Sequence, residues 1–133
     1  MSFCGEIVFS VTNHDFIEVD FGTDIMPTKV IHKGDIIILN KKASKNRWIY
    51  ELKYNNEKEF IESLEKISNQ LCNRREYIKY LGEIYDEVNF SIYVRSEFAQ
   101  IGFSLPCYIL KKISSLNCTL DFDILSFGEM PDK

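Results

Sequence analysis

The sequence predicts an α+β fold: a largely antiparallel sheet with about three helices packed on one face. Three observations carry this expectation. Runs of strict apolar–polar alternation occur near both ends of the chain, and helical periodicity is confined to residues after Asn56 and after Ser104. Strands also come first as a group, followed by helices and then by strand, helix and strand, an order that suits segregated rather than interleaved elements.

Phe3 to Thr12 alternates, with Phe3, Ile7, Phe9 and Val11 on one face and Glu6 and Ser10 on the other, as in a half-buried strand. Asn13-His14-Asp15 reads as a turn, and FIEVDFGTDI (residues 16–25) fits a short strand or a short irregular helix. In MPTKVIHKGD (residues 26–35), Pro27 restricts Met26 to extended backbone. Val30-Ile31 continue that extension, and Gly34-Asp35 then turns the chain. An anion cradle needs successive free N–H groups or a helix N-terminus, and nothing in this stretch suggests either. It is therefore read as a route between two strands. Ile36 to Leu39 is a compact apolar run and is expected to be a buried strand. After the polar turn KKASKN, RWIYELKY alternates and places Trp48, Tyr50, Leu52 and Tyr54 on one side, so the two runs are expected to form a hairpin.

Asn56 stands three residues before Glu59, and Asn73 three before Glu76, each resembling a capping box that opens a helix. Phe60, Ile61, Leu64, Ile67 and Leu71 then recur at helical spacing, leaving Glu62, Glu65 and Lys66 to solvent. Tyr77, Ile78, Leu81, Ile84 and Tyr85 do the same in a second helix, and the second Asn cap with Arg74-Arg75 favours a break between them. Val88, Phe90, Ile92 and Val94 form the inward side of an alternating strand, and Gly102 to Ser104 is expected to close another. Ser104 and Pro106 open a third helix whose buried face would be Cys107, Ile109, Leu110, Ile113 and Leu116, with Asn117 as its stop. Leu120, Phe122 and Ile124 would be the core face of a last strand, with Asp121 and Asp123 outward. Residues 1–127 are expected to form one domain, with a frayed tail over 128–133.

The bulk composition suits that organisation. Hydrophobic residues make up 45% and charged residues 27% of 133, the balance of a soluble globular protein. No apolar run approaches the ~20 residues that span a bilayer, and MSFCGEIVFSVTN lacks a basic n-region. A cytoplasmic location with no membrane partner is expected. Cys4, Cys72, Cys107 and Cys118 form no CxxC pair and are expected to be free thiols.

Catalytic patterns are missing. The glycines are isolated, neither a GxSxG elbow nor an HExxH helix occurs, and His14 and His32 are the only histidines available to serve as bases. No enzyme activity, catalytic residue, cofactor or metal is expected. The net charge of −4 is unevenly spread: Lys29, Lys33, Lys41, Lys42, Lys45, Arg47 and Lys53 stand against Asp35 and Glu51 alone in their stretch. The acidic total argues against general nucleic-acid binding, although that basic stripe could serve a nucleic-acid or anion-binding module. Tyrosine on a polar surface is a typical interface anchor, and Tyr93 lies opposite the core side of its strand.

PTKVIHKGD, RWIYELKY, EIYDEVNFSIYV and IGFSLPCYILKKISSLNCTLDFDIL, in this order, resemble a bacterial family of unknown function, number 4279. The resemblance covers Ile7 to Leu125 and implies an α+β domain without established activity. Proteins of this build are similar to immunity partners of secreted bacterial toxins. The functional expectation is therefore a non-enzymatic immunity protein that sequesters a cognate protein toxin, such as a nuclease. Tyr93, Asp121, Asp123, Glu62 and Glu65 are its candidate partner-binding residues.

Overall fold

The strand β1 (Cys4–Asn13) has apolar or small side chains on both of its faces, and it takes the centre of the sheet. In a computed structural model describing residues 3–130, it pairs antiparallel with β5 (Asn46–Tyr54) on one side and β6 (Glu87–Phe98) on the other. A short β2 (Lys29–Ile31) extends the sheet beyond β5, and β7 (Thr119–Glu129) extends it beyond β6. The order is β2-β5-β1-β6-β7. The sheet is mostly antiparallel, as the sequence predicts, but β7 runs parallel to β6. A parallel neighbour requires a crossover, which residues 99–118 supply through α3 (Cys107–Ser115).

The helices α1 (Glu57–Cys72) and α2 (Arg75–Ile84) join α3 on one face of the sheet. Their Phe60, Leu64, Ile67, Ile78, Leu81, Ile109 and Ile113 meet Ile7, Phe9, Trp48, Tyr54, Phe90 and Ile92 in one core cluster. Each fully buried side chain of this size contributes about 2 kcal/mol of apolar transfer. At the seam of the sheet Gly5 is obligatory: a Cβ there would sit 1.8 Å from the Tyr93 carbonyl oxygen. The Tyr54 hydroxyl reaches past it and donates to that same carbonyl at 2.5 Å.

Local signals decide the helix ends. Asn56 is extended, and its side chain accepts from the Glu59 N–H at 2.9 Å, while Asn55 and Asn56 donate back to the Glu59 carboxylate. Asn73 does not cap α2. Its backbone is helical (φ −67°, ψ −12°), so it closes α1, and Arg74 precedes α2 without a side-chain cap. An N-cap side chain needs extended backbone to reach back to the first turn. The expected break between the helices is present. Ser104 is likewise displaced: Pro106 holds the cap position of α3, and its carbonyl accepts from Ile109 and Leu110 at 3.0 Å. Asn117 stops the chain with φ 56°.

Other expectations fail for reasons of topology. Both edges of β5 are occupied, by β1 and β2, so Ile36–Leu39 cannot pair with it. That run instead forms β3 (Ile36–Ile38), paired with β4 (Lys41–Lys42) in a separate hairpin and exposed along its length. Gly102–Ser104 is not a strand; Ile101, Phe103 and Leu105 lie half-buried against the core as irregular chain. Phe122 and Ile124 are exposed because β7 is an edge strand, leaving only Leu120 half-buried there. Cys107 and Leu110 are exposed too, since the buried stripe of α3 is narrow. The expected tail begins within β7, whose Glu129 carbonyl accepts from the Ala99 N–H at 2.7 Å; residues 131–133 lie outside the described residues.

The stretch 16–25 is neither strand nor helix. It is an irregular strap with Phe21 and Ile25 buried. Tyrosine hydroxyls hold it down, Tyr85 bonding both backbone groups of Glu18 and Tyr77 accepting from the Asp20 N–H. Among the described residues no helix is long and apolar enough to cross a membrane.

Candidate functional site

The helices leave the other face of the sheet uncovered, and cross-strand register determines what gathers there. Glu6 lies between Lys53 and Tyr93, and Tyr93 is directly opposite Asp123. One step along, Val8 lies between Glu51 and Ser91, and Ser91 is opposite Asp121. Directly opposed residues share a sheet face, with Cβ atoms ~5 Å apart. Three of the candidate residues, Tyr93, Asp121 and Asp123, are therefore brought together on the open face. Glu62 and Glu65 are not, because they are exposed on α1 in the helical layer. There the Tyr108 hydroxyl donates to Glu65 at 3.4 Å. Local desolvation and the Glu65 charge together push the Tyr108 phenol up from its ordinary value.

The floor of the open face is made of small side chains. Val8, Ser10 and Ser91 are buried there between longer side chains of the adjoining strands. Arg95 donates to Glu6 through Nη1 at 3.0 Å and makes a second contact through Nη2. This pairing raises the guanidinium further above its ordinary value. Arg47 reaches Ser10 Oγ at 3.4 Å. A shallow cleft of about 170 Å³ is lined by Glu6, Val8, Arg47, Ile49, Glu51 and Tyr93. A larger one of about 300 Å³ lies beside the hairpin, where Ile37 and Lys45 approach Thr12, Arg47, Glu87 and Asn89. Sequence reasoning missed Arg47 and Arg95 as part of this surface, although both follow from the same alternation that placed Tyr93 outward.

β7 completes the surface with an open edge. It carries Asp121, Asp123 and Glu129 and no lysine or arginine. Phe122, Ile124, Leu125 and Phe127 are also well exposed along it. The other end of the sheet is only three residues long, at β2.

Other candidates resolve into structural roles. His14 Nδ1 lies 2.8 Å from Asp86 Oδ2, and the same oxygen accepts from the His14 backbone N–H, so the pair ties β1 to β6. These bonds hold the Asp86 carboxyl below its usual range. In the KGD turn every N–H from His32 to Asp35 is taken: by Asp35 Oδ2, Asn46 Oδ1, the Ala43 carbonyl and the His32 carbonyl in turn. No donor is left to cradle an anion there, which fits its reading as a route. The basic stripe does not form one row: Lys29, Arg47 and Lys53 lie on the sheet, whereas Lys33, Lys41, Lys42 and Lys45 surround the hairpin. The hydroxyls of Tyr50 and Tyr54, like those of Tyr77 and Tyr85, make internal hydrogen bonds. All four cysteines are free, and burial pushes the Cys118 thiol up to about 11. Among the described residues no group of three or more His, Cys, Asp or Glu is arranged to hold a metal ion.

No match was found among curated proteins or among solved structures. The family model described as "Domain of unknown function (DUF4279)" matches residues 2–127. With nearly the whole chain matched, the protein belongs to the DUF4279 family.

Proposed function

We propose that this protein is a small non-enzymatic binding protein, an immunity protein that neutralises a cognate bacterial toxin by occluding it. The observation carrying this reading is the register of β6 and β7, which sets Tyr93 opposite Asp123 with Asp121 beside them on an uncovered face. An aromatic anchor next to unpaired carboxylates suits a basic protein surface, and occlusion asks for complementary charge rather than site chemistry. The open edge of β7 adds unpaired main-chain groups, to which an extended segment of a partner can hydrogen-bond. Glu62 and Glu65 lie in the other layer and fall outside the proposed interface.

The test is to co-purify the chain with the product of the adjacent gene and to titrate the two calorimetrically. Asp121→Lys with Asp123→Lys is expected to weaken the complex about 100-fold or more, through like-charge contact. Glu62→Lys with Glu65→Lys is expected to leave affinity unchanged. A neighbour that is neither toxic nor bound would remove the proposal.

A further inference from the structure

The β3–β4 hairpin exposes Ile36, Ile37, Ile38 and Leu39 in succession, with Leu39 at the tip 95% exposed. Four consecutive exposed aliphatics are unexpected on a protein surface unless they have a use. The tip is also conformationally costly. Leu39 has φ 49° and Asn40 has φ 63°, as in the turns that favour Asn-Gly, and leucine pays a steric penalty there.

Beside this apolar tip stand Lys41 and Lys42, with Lys33 and Lys45 at the base of the hairpin, all exposed. The one acid of the hairpin, Asp35, accepts the His32 N–H within the turn. Ile37 turns to the cleft beside Arg47, which leaves Ile36, Ile38 and Leu39 as the outward group. We propose that this hairpin docks the protein on an anionic lipid surface, its aliphatic tip entering the headgroup boundary and its lysines meeting acidic headgroups. Charge complementarity selects this occupant. A protein hot spot favours Trp, Tyr and Arg, and the tip has none of them. Contact of this kind needs no spanning segment, and it departs from the expectation of no membrane partner, which rested on the lack of an apolar run long enough to span.

The test is flotation of the full chain with phosphatidylcholine vesicles, with and without phosphatidylserine. Binding is expected only with phosphatidylserine and is expected to weaken as salt rises. Lys41→Gln with Lys42→Gln should lower partitioning about 30-fold, a factor of about five for each lysine removed. Ile38→Asp with Leu39→Asp should abolish it, with thermal melting measured alongside to show that both variants fold. Failure to float with phosphatidylserine at low salt overturns the proposal, as does flotation that survives the aspartates. A wild-type dimer that Leu39→Asp converts to monomer, without vesicle binding, assigns the tip to a second copy and also overturns it.

Discussion

β7 and the β3–β4 hairpin each expose a run of apolar side chains, and they differ in backbone setting and in charge. β7 is an eleven-residue edge integrated into the main sheet, its charges all acidic. The hairpin is a separate two-stranded piece ringed by lysines. An edge offers a backbone ladder and therefore suits another strand. A tip offers only side chains, and so suits a medium that accepts them without geometry. The comparison teaches that exposed hydrophobicity acquires meaning from the backbone behind it and the charge beside it.

The largest perturbation of this comparison comes from the seam between the two halves. Gly5 pairs with Tyr54 on one side and Val94 on the other. Gly5→Ala should destabilise the fold by about 3 kcal/mol or more, because the clash is with backbone rather than with a movable side chain. Urea unfolding measures this, and an unchanged midpoint would contradict the packing described.

A smaller and opposite effect is expected at the hairpin. Leu39→Gly removes a left-handed penalty of roughly 1–2 kcal/mol and adds unfolded-state entropy, so a net gain of about 0.5–1 kcal/mol is expected. On β7, Ile124→Lys should change stability by no more than about 0.5 kcal/mol, since that side chain is half exposed on an edge. If the two substitutions shift the melting temperature alike, the contrast between a strained tip and a relaxed edge is lost.

The smallest effect concerns pH. Asp86 has a depressed pKa in the folded state, so the stability it contributes is present above the ordinary carboxylate range and lost as pH falls through its folded value. Asp86→Asn should flatten the acid limb of a melting-temperature profile slightly. The pair is exposed, and added salt should shrink the difference further.

Much of the fold was legible because its signals are local. Alternation in β1, β5 and β6 chose the buried face correctly at Ile7, Trp48 and Phe90, and Asn56 with Glu59 marked the start of α1. What failed depended on neighbours that no local pattern names. Ile36–Leu39 has the composition of a buried strand, yet the partner it would need already has both edges filled. Phe122 and Ile124 alternate like core residues, but strand order puts them at an edge. The strap over residues 16–25 has no periodicity because tyrosine hydroxyls from α2 and the turn after it supply its hydrogen bonds. Of the candidate site, Tyr93, Asp121 and Asp123 were readable as outward positions, and their meeting was not, because parallel register between β6 and β7 is set by the crossover between them.

The hydroxyl of Tyr54 has one more consequence, an optical one. Burial and nearby negative charge hold this phenol well above its ordinary value, so its contribution to stability is intact below the usual tyrosine range and is lost as pH rises. In an alkaline absorbance titration Tyr54 should ionise above the ordinary tyrosine range, and only when the sheet parts at Gly5. The molecule thus carries its own colour reporter for the opening of its central seam.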